Sequence, residues 1–264
     1  MRRVHIVVVI ISVCILVFLA IVLSMFTNNQ PIHIIENENL WVPTIFHQTW
    51  KTKNLPTQFV YWSNTFKEKH PQWRHIVWDD HDNRNLIHTH YPWFLETYDR
   101  YDKMIKRVDA VRYFYLYHYG GVYVDMDFAC LKNIEPLLER GKALFGYQLK
   151  DRSSIANAFM AAPPRHPLFH FIIHSLQDSA SKKNVLESTG PKFLTNCIQK
   201  YRKYRNDVTV IDMPIIYSHE WDENVNGLER CKKDVQYCRT LFPESYMTTF
   251  WTATWWKENE NKYK

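Results

Sequence analysis

The chain has 264 residues, 46% of them apolar and 16% aromatic, with a formal net charge of +6. About 235 residues follow an amino-terminal apolar run, enough for one substantial core, and neither an internal repeat nor a low-complexity segment marks a solenoid or a disordered chain. The positive charge leans toward the carboxyl-terminal half, at Lys200-Tyr-Arg-Lys-Tyr-Arg205 and Lys232-Lys233; a solvated helix face, an anionic acceptor or a membrane surface accounts for it, and no nucleic-acid partner is expected.

Met1, Arg2 and Arg3 precede a nearly uninterrupted apolar run from Val4 to Phe26. At about 1.5 Å per helical residue this run crosses the ~30 Å hydrocarbon core. It is longer than the ~7–15 apolar residues of a cleaved signal peptide and lacks a small-residue cleavage site, so it reads as a membrane anchor. Arg2 and Arg3 lie before the span and Glu36 and Glu38 after it, which keeps the amino terminus cytosolic by the positive-inside rule. The expected organisation is a cytosolic tail at 1–3, a transmembrane signal anchor at 4–26, a stem at 27–40 and a lumenal domain at 41–264, in a single-pass type II topology.

Thr44 to Gln48 predicts the first strand, with Trp50 just past its end, and Pro56 to Lys69 a helix with Phe59, Trp62 and Phe66 on one stripe. Arg74 to Trp78 predicts a second strand. Asp80-His-Asp82 then opens a polar segment whose carboxylates suit turns and helix caps. Helices are expected around Asn83 to Thr89, over Pro92 to Tyr101 and over Val108 to Tyr119. In the last of these Asp109 and Arg112, three apart, project from one face. Gly120 and Gly121 stop that helix, because glycine enters left-handed backbone without a steric penalty.

Val122, Tyr123 and Val124 form a short strand, which puts Asp125 and Asp127 at its carboxyl end, where open α/β sheets bind ligands. Two carboxylates alternating across one residue can approach a hard divalent cation that also holds phosphate oxygens. A bare Asp-x-Asp arises by chance about once in a chain this long. The Gly-Gly turn and the Asp-x-x-Arg helix upstream distinguish Asp125 and Asp127 from Asp80 and Asp82.

Further strands are expected at Ala143 to Tyr147, Ala158 to Ala162 and Val208 to Ile211, and helices at Leu168 to Leu176 and Lys192 to Tyr201. This alternation predicts an α/β sheet with helices on both faces. No Gly-x-Gly-x-x-Gly or Walker sequence supports a dinucleotide or P-loop site. Of five cysteines Cys14 falls in the apolar run, leaving Cys130, Cys197, Cys231 and Cys238 in an oxidising compartment. Cys231 and Cys238 are the expected disulfide on loop length, and the spacing fits no zinc motif.

Asp109-x-x-Arg112 followed by Gly-Gly-x-Tyr-x-Asp-x-Asp over Gly120 to Asp127 resembles the sugar-binding region of the glycosyltransferases of family 32, which includes fungal α-mannosyltransferases; the spacing is similar to that of the glucosylating clostridial toxins. The resemblance runs from Pro43 to about Leu138 and includes Ile45-Phe-His-Gln-Thr-Trp50, His70-Pro-Gln-Trp-Arg74 and Tyr91-Pro-Trp93, with Asn157-Ala-Phe-Met160 and Thr189-Gly-Pro191 beyond. It implies a glycosyltransferase type A fold, a single Rossmann-like nucleotide-sugar domain. It also implies a Mn2+ or Mg2+ ion, a donor that is GDP-mannose or alternatively a UDP-hexose, and a glycan, glycoprotein or glycolipid acceptor. The implied location is the Golgi or another secretory-pathway membrane, held by the amino-terminal helix.

By the same resemblance Asp109 and Arg112 hold the sugar hydroxyls, Asp127 is the principal metal ligand, Asp125 contacts the metal shell, the ribose or the donor sugar, Trp50 stacks on the base, Tyr123 lines the nucleotide pocket and Asn157 faces the sugar. Thr254 and Trp255 would contact the β-phosphate, although the segment from Thr249 to Trp256 carries threonine for the usual serine and lacks the relatives' histidine. Structural roles stand beside these: a core tryptophan at Trp50, sheet packing at Tyr123, an intrahelical ion pair between Asp109 and Arg112. Asp127 is expected to face the site unpacked, so that alanine there spares the fold. The non-enzymatic alternative is an inactive membrane-anchored carbohydrate-binding protein.

Overall fold

Six of the strands seen in the computed structural model, which describes residues 41–252, build one mixed sheet. The strands in chain order are β1 (Ile45–Thr49), β2 (Arg74–Trp78), β3 (Gly121–Val124), β4 (Phe128–Cys130), β5 (Ala143–Tyr147), β6 (Ile155–Ala162), β7 (Val208–Ile211) and β8 (Met247–Thr249). The large sheet has the order β2-β1-β3-β6-β5-β7, and β4 pairs with β8 in a separate antiparallel ribbon. Neighbours run parallel at β1–β2, β1–β3 and β5–β7 and antiparallel at β3–β6 and β5–β6. The anchor and stem expected over 1–40, Cys14, Thr254 and Trp255 lie outside the described residues. No helix among those described is long and apolar enough to cross a membrane.

The helices are α1 (Thr57–Lys69), α2 (Asp80–His90), α3 (Pro92–Arg100), α4 (Met104–Tyr119), α5 (Pro167–Ser179), α6 (Val185–Ser188), α7 (Pro191–Arg202), α8 (Met213–Ile216), α9 (Leu228–Lys233) and α10 (Val235–Leu241). The two-residue period of the central strands sorts their side chains onto two cores. Tyr123, Phe145 and Met160 join α4, α5 and α7 on one face. Val122, Val124, Leu144, Phe159 and Ala161 pack with Phe46, Phe66 and Tyr217 on the other. Every residue of β6 is buried, and most of α4 is as well, which is why neither shows an amphipathic stripe. A third cluster lies where Phe59 and Trp62 of α1 meet Met126, Phe250 and the α9–α10 hairpin, and there Cys231 and Cys238 form the expected disulfide. Cys130 and Cys197 are buried free thiols.

Local chemistry explains the boundaries the pattern missed. α2 starts at Asp80, three residues before the predicted helix, because Asp79 accepts from Asp82 N–H while the Asp82 side chain accepts from Asp79 N–H; Asp82 is thus the helix-cap carboxylate expected, its partner is Asp79, and Asp80 lies in the first turn. β6 begins at Ile155, three residues before the strand predicted from Ala158, so Asn157, expected in the loop just ahead of it, is an interior strand residue. β4, β8, α6 and the helices after β7 carry too short a pattern to be read from sequence.

The turn between α4 and β3 leaves no room for side chains. Gly120 has φ +66° and Gly121 φ +94°. A Cβ on Gly120 would lie 2.6 Å from Pro164 N, and one on Gly121 2.6 Å from Ile45 O. Both positions therefore exclude a side chain twice over, by backbone conformation and by space. His47 locks the same turn: its Nε2–H donates to Gly120 O (2.9 Å) and its Nδ1 accepts from Trp78 Nε1–H (3.1 Å). That pair of bonds specifies the neutral ring, and burial lowers its pKa to about 4.

Candidate active site

α4 places Asp109 and Arg112 against the carboxyl ends of β3 and the start of β6, and the two are only 5% and 3% exposed. Arg112 Nη2 lies 3.0 Å from Asp109 Oδ1 and Nη1 lies 3.1 Å from Asp125 Oδ1. The same Nη1 donates to Asn157 O at 2.9 Å, and the guanidinium covers the Tyr123 ring at 4.6 Å. Asp109 is closed on its other sides: Oδ1 accepts from Asn157 Nδ2 (3.1 Å) and Oδ2 from Thr189 Oγ1 (3.2 Å). Burial raises the Asp109 pKa to about 6 against the pull of Arg112. Burial also works against the Arg112 charge, but Asp125, Tyr123 and Asp109 outweigh it and keep the guanidinium protonated.

Asp125 follows β3 directly, and its N–H continues the antiparallel pairing by donating to Ala158 O at 2.9 Å. Its Oδ1 accepts from Arg112 and, at 2.6 Å, from Tyr123 Oη, while its carbonyl accepts from Gln48 Nε2 at 3.3 Å. The side chain is 32% exposed, far more open than Asp109 and Arg112. Gln48 is itself fixed, since its Oε1 accepts from Ser63 Oγ and His75 Nε2, both at 2.7 Å.

Asp127 differs from expectation. It is held rather than free: Oδ2 accepts from the N–H and Oγ–H of Thr252 at 2.9 and 3.0 Å, and its carbonyl accepts from Phe250 N–H at 3.0 Å. Burial, then the charge of Asp125, raises its pKa to about 6. Each carboxylate keeps one oxygen, Asp125 Oδ2 and Asp127 Oδ1, without a hydrogen bond from another described residue. Two adjacent carboxylates, each with a spare oxygen and one with its ionised form disfavoured by the other, are an all-oxygen donor set that fits Mg2+ or Mn2+. A second acidic group, Asp79, His81 and Asp82, has ligand atoms within 4.8 Å of one another. Its carboxylates are engaged as the α2 cap and by Lys53.

The fold thus connects Asp109, Arg112, Tyr123, Asp125 and Asn157 directly and sets Asp127 two residues away. Trp50 follows β1, half-buried, and meets Phe59 edge-on at 4.8 Å in the third cluster. Gln48, Thr189 and Thr252 belong to the network and were not among the candidates. Thr189 stood in a Thr-Gly-Pro helix start and Gln48 in the His-Gln-Thr-Trp run, whereas nothing local distinguishes Thr252 from the other threonines of the carboxyl-terminal segment.

Residues 56–144 match the family model described as a glycosyltransferase sugar-binding region containing a DXD motif. The chain is 37% identical over 172 residues to a mannosyl phosphorylinositol ceramide synthase of Saccharomyces cerevisiae, covering 62% of this chain and 44% of that protein. It is 36% identical over 175 residues to an inositol phosphoceramide mannosyltransferase of Schizosaccharomyces pombe, covering 64% and 48%. The chain therefore spans about half the length of these curated fungal relatives. To an uncharacterized glycosyltransferase of Acanthamoeba polyphaga mimivirus it is 32% identical over 186 residues, covering 67% of this chain and 73% of that protein. Among solved structures the PaToxG glycosyltransferase aligns with a TM-score of 0.50 at 16% identity over 85% of this chain and 96% of that chain, a likeness of fold.

Proposed function

Because the chain belongs to the family of glycosyltransferases whose sugar-binding region contains a DXD motif, we propose that it is a membrane-anchored, metal-dependent retaining hexosyltransferase of the type A fold. Its donor is GDP-mannose, a sugar taken from the names of the fungal relatives, and its acceptor is a glycan or glycolipid. The observation that carries this reading is the ionic path Asp109–Arg112–Asp125, which runs from a buried helix to a part-exposed strand end beside a third carboxylate. Buried ion pairs are poor stabilisers, often replaceable by apolar residues of the same volume without loss. A path of this kind is better explained by what it holds in place.

In this reading Asp109 and Arg112 form the floor on which the donor hexose sits, with Asn157 and Thr189 fixing the Asp109 carboxylate. A sugar with a misplaced hydroxyl leaves one of these buried groups unpaired, which is how such a site discriminates between hexoses. Asp127 and Asp125 would hold the Mn2+ or Mg2+ ion, whose chemistry is to neutralise charge growing on the diphosphate as the sugar leaves. The chain's own contribution is orientation and charge, so that the acceptor hydroxyl attacks from the leaving-group face, its proton passing to the departing diphosphate, and the anomeric configuration is retained.

Hydrolysis of a panel of GDP- and UDP-sugars by the full chain in detergent with Mn2+ tests this. GDP-mannose should be cleaved fastest, with Asp109→Asn reducing the rate at least tenfold. Preference for a UDP-hexose would move the donor but keep the site, and cleavage of no sugar nucleotide would reject an enzymatic role. Proton NMR of the first transfer product should show the α-anomer.

A further inference from the structure

The carboxyl-terminal strand does more than close the β4–β8 ribbon. Phe128 pairs with Thr249 in that ribbon, and the next rung is Phe250 N–H on Asp127 O. Had the ladder continued, residue 252 would have been carried away along the strand. Instead Trp251 turns into left-handed backbone at φ +46°, a conformation that strains a non-glycine residue and persists only where its surroundings hold it. The turn is held in three ways: Trp251 N–H on Thr249 Oγ1 (3.3 Å), Trp251 Nε1–H on His219 O (3.2 Å), and its ring stacked on Tyr217 at 5.7 Å. The result is that both donors of Thr252 reach a single oxygen, Asp127 Oδ2.

We infer that Thr252 is a positioning residue for the metal-binding carboxylate, clamping Asp127 Oδ2 so that Oδ1 is presented to the cation. Two donors from one residue fix the carboxylate's rotation as well as its place. A cap serving only the fold would have no reason to spend a strained tryptophan on one oxygen while the other takes no hydrogen bond from another described residue. The inference rests on the metal-dependent reading above and adds to it a ligand-orienting group 125 residues away in sequence.

The test is Mn2+ affinity, read by water-proton relaxation on the full chain in detergent, without donor or acceptor, together with the melting temperature. Thr252→Val keeps shape and N–H but loses the hydroxyl, and should weaken Mn2+ binding about tenfold, within the range of ligand-orienting groups. Thr252→Ser restores the hydroxyl and should bind within about twofold of the parent. Melting temperatures should stay close to the parent's; if the valine variant does not fold, Thr252→Ala removes the same hydroxyl. Parental Mn2+ affinity in the hydroxyl-less variant, with binding lost in Asp127→Asn, would overturn the inference and leave the metal site standing. Equal Mn2+ binding by parent and Asp127→Asn would overturn both.

Discussion

At the scale of single residues the decisive fact is that Arg112 neutralises two carboxylates at once. Removing it leaves Asp109 buried and uncompensated and deprives Asp125 of its cation. Arg112→Ala should therefore cost about 3–5 kcal/mol in urea denaturation. Arg112→Lys keeps the charge but not the two-armed fork, so it should recover part of that stability while donor hydrolysis stays depressed. Full hydrolysis in the lysine variant would show that a point charge suffices. A second residue-scale prediction concerns His47, whose pKa burial lowers from 6.5 to about 4. Between those values the unfolded chain takes up a proton that the folded one refuses, so this contribution to stability is complete above pH 6.5 and is lost as pH falls toward 4. It amounts to about 3 kcal/mol at 1.4 kcal/mol per pKa unit. Asp109 and Asp127, raised to about 6, act with the opposite sign, and their contribution fades as pH rises through 6. The informative measurement is the gap between parent and His47→Gln, which should narrow from pH 7 to pH 4.5; a constant gap would mean that His47 is not the group being titrated.

At the scale of elements, the α4–β3 turn sets where the carboxylates emerge. Ala at Gly120 or Gly121 would meet backbone atoms at 2.6 Å in a region of φ that alanine avoids. Either substitution should lower stability by at least about 2 kcal/mol, roughly 4–8 °C in Tm for a domain of this size. An unchanged melting curve would show that the turn relaxes without cost. The disulfide is the other local device. It closes a short loop across α9 and α10 with a separation of 7 residues, for which chain entropy alone predicts about 2.5 kcal/mol. Its hairpin accepts the Trp62 indole N–H at Lys232 O, and Trp62 stacks on Phe250 at 4.4 Å, the residue bonded to Asp127. Cys231→Ser should show the loss in equilibrium unfolding, and no change would mean the hairpin is held by packing alone.

At the scale of the whole molecule, the proposed topology makes a protease experiment decisive. In sealed vesicles carrying the full chain, the part from about Asn39 onward should resist added protease until detergent is supplied, with the charge bias of Arg2 and Arg3 as the cause. Digestion without detergent would reverse the orientation. Much of the scaffold was readable from the residues alone. The strands at Arg74–Trp78, Ala143–Tyr147 and Val208–Ile211 match their predicted limits, because alternation and β-propensity are local. The Asp109–Arg112 pair, the glycine turn and the Cys231–Cys238 bridge were readable for the same reason: each depends on residues within one helix turn, one tight turn or one short loop. What the tertiary structure decided are the partnerships across distance. It reversed β6 against β3, turned Asn157 from a loop residue into a buried donor to Asp109, brought Thr189 onto the same carboxylate across 80 residues and Thr252 onto Asp127 across 125. No periodicity in a chain encodes which distant hydroxyl will meet a given carboxylate; that is settled when the burial of both sheet faces leaves only one way for the strands to lie and for their polar groups to be paired.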